Sequence, residues 1–151
     1  AAQVCVDAGI PVVLAKGTIA NMDIVDTYVG SNDYNAGVME MEYIADRLGG
    51  KGNIVIIEGP TGVTGAVLRN DALEAAGITD VPVIGIDGIQ AAVESVGEGK
   101  MSASILQDSN TIGAKAVEVA VDIANGKEVE KEYDIPYQLI TKDNYTDFLT
   151  E

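Results

Sequence analysis

The stretch VPVIGIDGIQ, residues 81–90, decides how the chain is read. An apolar run of strand-forming residues ends on Asp87 and passes directly into a helical pattern from about Ile89. That is the signature of a buried parallel strand feeding a crossover helix. A carboxylate at the lip of such a strand raises the question of what it faces, because crevices in open parallel sheets lie beyond the strands' carboxyl ends.

Working outward, the same alternation recurs. Residues 1–8 read as a helix stopped by Gly9, and residues 10–15 (IPVVLA) as a strand with proline near its start, where a missing N–H does least harm. A second strand is expected over residues 23–30 (DIVDTYVG). Ser31, Asn32 and Asp33 are then candidate N-caps of a helix in which Val38, Met41, Ala45 and Leu48 share a face, ended by Gly49 and Gly50. The continuous apolar run NIVIIEG, residues 53–59, reads as a strand covered on both faces, followed by a loop and helix closed by Gly77. Beyond residue 90 the expected elements are a helix to about Val96, a strand over 102–108, a helix over about 112–125 stopped by Gly126, and a strand over 137–141. Residues 16–22 and 127–133 read as linkers. Strands separated by helices of this length imply parallel crossovers, and the class is α/β.

Composition removes several functions. The chain's 151 residues suit one domain or two small lobes. A formal charge of -15 disfavours nucleic acid and anionic membrane surfaces, and the interleaved acids read as a solvated surface. There is no histidine, which excludes Ser/His and Cys/His dyads and His-containing zinc sites. The single cysteine, Cys5, is expected as a small buried side chain with no internal disulfide partner. No run is long and apolar enough to span a bilayer, and no signal peptide is visible. With no initiator Met and a start inside a helical pattern, the expectation is a processed or cut chain.

Three polar residues follow strands: Asp87, Gln107 and Lys16. An aspartate there can accept hydrogen bonds from two adjacent hydroxyls, and a glutamine both donates and accepts, so the pair suits a polyol. The plain alternatives are that Asp87 caps the next helix and that Lys16 is merely solvated. The loop GPTGVTG, residues 59–65, matches neither the dinucleotide nor the P-loop pattern and reads as a turn whose Thr61 or Thr64 caps a helix. Glu128 with Glu130, and Glu40 with Glu42, face different sides of a helix and do not form a glycosidase pair. Tyr34, Tyr43, Tyr133, Tyr137, Tyr145 and Phe148 are scattered and read as packing residues. No catalytic residue, metal ligand or cofactor is expected.

Taken together, GIPVVL, YVGSNDYNAG, KGNIVIIEGPTG, ALEAAGITDVPVIGIDG, MSASILQD, IGAKAVEVAVDIANGK and YQLITKDNYTDFL resemble the type I periplasmic sugar-binding proteins, the ribose-binding-like receptors of bacterial ABC transporters. The resemblance implies two Rossmann-like lobes that close over a monosaccharide, an ABC permease as partner of the parent protein, and a periplasmic or extracellular location. It identifies Asp87 with the aspartate of the second lobe that binds sugar hydroxyls and Gln107 with the glutamine at the hinge edge. Lys16 and Gly17 stand where ribose-type members carry Asp-Arg, and Val67 stands where they carry arginine. The family's early strand and helix units have no counterpart before Ala1, and near Asp71 a strand, helix and strand are missing, leaving one fused helix over about residues 64–76.

By resemblance, residues 1–30 with 109–130 are a remnant of the first lobe, and residues 31–108 with 131–151 a trimmed second lobe. Either all the strands merge into one flavodoxin-like sheet, or a homodimer or complementary fragment covers the exposed face. The leading expectation is a monosaccharide- or polyol-binding component of a sugar transport system. The alternatives are a truncated or engineered scaffold that binds nothing and a flavodoxin-like nucleotide-binding domain.

Overall fold

A computed structural model describes residues 1–54 and 81–150. In chain order the elements are α1 (Ala2–Asp7), β1 (Val13–Ala15), β2 (Thr27–Gly30), α2 (Asp33–Arg47), β3 (Ile84–Ile86), α3 (Gln90–Glu98), β4 (Ala103–Leu106), α4 (Ser109–Ala124), β5 (Glu132–Asp134) and β6 (Gln138–Thr141), with 3-10 turns at Met22–Ile24 and Tyr145–Phe148. The fold is α/β. Its described strands form two three-stranded sheets and do not merge into one. The strand expected over residues 53–59 from its third residue on, the Gly59–Gly65 loop and the fused helix lie outside the described residues.

The chain divides into two units, Ala1–Asn32 with Asp108–Pro136, and Asp33–Gln107 with Tyr137–Glu151. In the first, β1, β2 and β5 are all parallel, with Val13 opposite Thr27 and Val29 opposite Tyr133. β1 is shorter than expected. Ahead of it, Asp26 holds the Val12 N–H through Oδ2 at 2.7 Å while its own N–H donates to the Val12 carbonyl, so a side chain closes the pairing that a longer ladder would have made. The first part of the expected second strand is instead the turn at Met22–Ile24, where Asn21 accepts from the Asp23 N–H. β5 is a correction to the linker reading of residues 127–133: Glu132 and Tyr133 pair with β2. α4 lays Ile112, Ala116, Val119 and Ile123, spaced 4-3-4, against Val29, Val13, Tyr133 and Ile135. Burying a side chain such as Ile112 or Val119 contributes about 1.5–3 kcal/mol. Cys5 is only half-buried on α1.

α4 starts earlier than expected because Asp108 caps it. Oδ1 accepts from the Thr111 N–H at 3.0 Å and Oδ2 from the Thr111 hydroxyl at 2.6 Å. These bonds hold the Asp108 carboxyl below its ordinary range. A depressed folded value stabilises the native state above the unfolded pKa of about 3.9 and the effect is lost as pH falls through the folded value. Asp108→Ala is therefore expected to cost about 1 kcal/mol at pH 7 by thermal or urea denaturation, with the difference from wild type closing toward pH 3. A difference that is the same at pH 3 and pH 7 would assign the loss to something other than the cap.

In the second unit β3 and β4 are parallel, but β6 runs antiparallel to β4, with Ala103 opposite Thr141 and Leu106 opposite Gln138. The expectation of parallel crossovers rests on helices between strands, and no helix lies between β5 and β6, so β6 is not bound by it. Central β4 buries Ala103, Ser104 and Ile105. α3 packs Ala92 and Val96 against Met101, with Val83 and Tyr145 beside them, and ends on Gly99 in the left-handed region. Gly97 is demanded by Tyr145, whose ring occupies the space a Cβ would need. The expected face of α2 is displaced: Met41 and Ala45 are exposed, whereas Ala36 is buried and the Tyr43 hydroxyl donates to the Ser102 carbonyl at 2.7 Å.

Candidate functional site

Parallel pairing of β3 with β4, Ile86 opposite Ile105, delivers Asp87 and Gln107 to the same end of one sheet. They leave adjacent strands at their carboxyl ends. The strands are held by Ser102, whose N–H donates to the Val83 carbonyl and whose Oγ accepts from the Val83 N–H.

Asp87 sits in an unusual backbone state. Its φ is +81°, and Gly88 follows at +57°, so two successive left-handed residues fold the chain sharply off β3. A Cβ on Gly88 would lie 2.8 Å from the Leu106 Cα, so the turn presses against the end of β4 and only glycine fits. Aspartate tolerates this region better than most side chains but at a cost, and residues held there by their surroundings cluster at ligand sites. The capping alternative for Asp87 does not hold: the N-cap position of α3 is Ile89, which makes no side-chain cap.

Gln107 is buried, 6% exposed, and its Nε2 donates to the Tyr137 hydroxyl at 3.0 Å. Register explains the contact, since Gln138 lies opposite Leu106 in the antiparallel pair and Tyr137 is one residue beyond. Tyr137 in turn donates to Asp33 Oδ1 at 2.7 Å. Asp33 is the first residue of α2 and not its N-cap, and its carboxylate serves this hydroxyl. Reading the sequence with every strand parallel puts Tyr137 at the wrong end of its strand. Only the reversal of β6 brings it beside Gln107.

Lys16 belongs to the other unit. It follows β1, is exposed, has φ +68°, and its Nζ lies 3.4 Å from Ser109 Oγ at the start of α4. Its N–H donates to the Val29 carbonyl, and its own carbonyl accepts from the buried Tyr28 hydroxyl at 3.1 Å. That hydroxyl stands over Gly30, where a Cβ would collide with it. Ser31, next along, is buried with no hydrogen-bond partner for Oγ, so it does not cap α2. Among the described residues no cluster of three His, Cys, Asp or Glu forms a metal site, and no helix is long and apolar enough to cross a membrane.

Parallel α/β units whose strands end on polar residues define a Rossmann-like architecture. The match of residues 1–72 and 70–128 to the periplasmic binding protein domain goes further, and the chain belongs to that family. The chain is 28% identical to a xylitol-binding protein of Mycolicibacterium smegmatis, across 90% of its own length and 55% of the relative's. To the ribose import binding protein of Escherichia coli it is 39% identical over 47% of the chain and 24% of that protein. It thus spans about half, or less, of these curated relatives. Among solved structures, an ABC transporter solute-binding protein from Bacillus halodurans with bound myo-inositol superposes with a TM-score of 0.85 at 29% identity, covering 97% of this chain and 71% of that one. The alignment to the xylitol-binding protein runs over 194 residues against 151 here, so that relative carries an internal stretch with no counterpart, and the two parts of the family match meet at residues 70–72.

Proposed function

We propose that the chain is the monosaccharide- or polyol-binding component of an ABC-type sugar uptake system, non-enzymatic and working outside the cytoplasmic membrane with a permease as partner. One observation carries the proposal: Asp87 and Gln107 leave paired parallel strands at the same end of one sheet, and Asp87 is held in a left-handed backbone that its helix-capping alternative does not require. A carboxylate accepts from two neighbouring hydroxyls, and an amide adds a further polar contact, which together match the repeated vicinal hydroxyls of a polyol. The names of the relatives point the same way, one binding xylitol and another structure holding myo-inositol. Lys16, which follows β1, is proposed as a further ligand residue.

Titration calorimetry with xylitol, myo-inositol, ribose, galactose and inorganic phosphate tests the reading. Saturable heat is expected with at least one of the polyhydroxylated compounds and none with phosphate. Silence across all four hydroxylated compounds, or heat with phosphate alone, would reject it.

A further inference from the structure

We infer that Gln90 is a positioning residue: by tying the segment after β6 to the first turn of α3, it holds the Asp87–Gly88 turn in the shape that serves a ligand. The need for such a tie comes from how α3 begins. Its N-cap position, Ile89, supplies no side-chain cap, and its first turn carries no acidic residue. A helix start without a cap frays more readily, because its first N–H groups lack intrahelical acceptors. Just ahead of it, Asp87 holds a φ of +81°, a backbone state that persists only where the surroundings enforce it. On the strand side the enforcement is the close approach of Gly88 to Leu106. On the helix side it is Gln90, the first residue of α3, whose Oε1 accepts from the Thr150 N–H at 3.1 Å and from the Thr150 hydroxyl at 3.0 Å.

The direction of the Gln90 amide is set twice over. A backbone N–H can only donate, so the amide oxygen has to face Thr150. An ionised carboxylate can only accept, so the nitrogen has to face Glu94, and Nε2 donates to Glu94 Oε1 at 3.3 Å. Reversing the amide would oppose donor to donor at one end and oxygen to carboxylate at the other. The rest of the segment runs back along the helix: Lys142 Nζ donates to the Gly97 carbonyl in the last turn, and the Tyr145 ring lies against Gly97 and the cluster of Ala92, Val96 and Met101. Residues 142–150 thus span α3 from its last turn to its first, and Gln90 closes the end next to Asp87. A loosened first turn lets the strained backbone relax, and apparent affinity falls with the fraction of molecules whose turn is in place. That consequence rests on the polyol-binding reading above; the tie itself does not.

Two variants cut the tie from opposite sides. Thr150→Pro removes both donors at a residue 60 positions from Gln90, and Leu149 before it, at φ −71° and ψ 132°, already has the extended backbone that precedes proline. Gln90→Met removes the acceptor and keeps a straight side chain of good helix propensity. In ligand-free 15N-labelled samples, shown by a melting curve to be folded, each is expected to speed amide exchange at Ala92 and Val93, whose N–H groups bond to the Ile89 carbonyl, by about three- to tenfold. Each should also shift the Gly88 amide and leave Ile105 in β4 unmoved. Because both cut the same bonds, the double variant should be no worse than either alone. Gln90→Glu combined with Glu94→Gln restores an acceptor for Thr150 and a donor to its second oxygen, so exchange should return to within about twofold of wild type. Unchanged exchange or an unmoved Gly88 amide in folded Thr150→Pro would overturn the inference, as would additive effects in the double variant. With ligand, the Kd for myo-inositol should rise about three- to tenfold in both single variants, and a Kd that stays put while exchange quickens would equally overturn it. If the wild type binds no polyol while Thr150→Pro moves Gly88 and speeds exchange, the tie stands and the choice of ligand falls.

Discussion

Gly88→Ala is expected to be the most damaging single methyl group among the described glycines with positive φ. The position has φ +57°, which costs an L side chain about 1–2 kcal/mol, and the new Cβ would stand 2.8 Å from both Cα and Cβ of Leu106. Backbone cannot swing aside as a side-chain tip does, so overpacking adds about 1–3 kcal/mol. A total loss of roughly 2–5 kcal/mol is large against the usual 5–15 kcal/mol of a domain, and at this chain length lowers Tm by several to about 15 °C. Gly99→Ala is the control. It has φ +82° with nothing within 4 Å of the added carbon, so it meets the backbone penalty alone, about 1–2 kcal/mol. Equal losses in the two variants, measured by chemical denaturation, would show that the turn does not press on β4.

Removing the Asp87 carboxylate should abolish ligand binding while leaving the fold in place. Hydrogen bonds to a charged group contribute about 1.5–3 kcal/mol each, so losing two of them in Asp87→Ala weakens the polyol complex by about 3 kcal/mol or more, over a hundredfold in Kd. The informative partner is Asp87→Gly. Glycine relieves the left-handed backbone at φ +81° and gives back some of that gain through greater freedom in the unfolded chain, so stability should stay within about 1 kcal/mol of wild type. Binding is nonetheless lost. If Asp87→Gly kept its affinity, the carboxylate would have no part in the site; if it unfolded, the role of Asp87 would be structural.

Particular residues explain how far such a reading of the sequence reaches. Long apolar runs bounded by glycine make the helices and most strands legible, and the carboxyl-end rule for parallel sheets singles out Asp87 and Gln107 from the strand pattern. β5 escaped because Glu132–Asp134 is three residues with acids on either side of one tyrosine, too short for a periodic signal and too polar for a compositional one. The face of α2 was misjudged because several apolar residues ring that helix, and what fixes Tyr43 is the Ser102 carbonyl just ahead of β4. Strand direction was the costliest omission. Nothing local in Gln138–Thr141 distinguishes a parallel from an antiparallel partner, yet that choice alone decides whether Tyr137 lies beside Gln107 or at the far end of the sheet. Asp33, with a hydrogen bond to a residue more than a hundred positions away, was legible only as a possible cap.

The most direct test of the central claim is a titration of the 15N-labelled chain with myo-inositol or xylitol, following amide shifts residue by residue. Convergence of Asp87 and Gln107 on one ligand predicts that the largest changes fall on the Asp87–Gly88 turn and on Gln107, backbone and side chain together. Saturable binding whose shifts leave both residues untouched would contradict it.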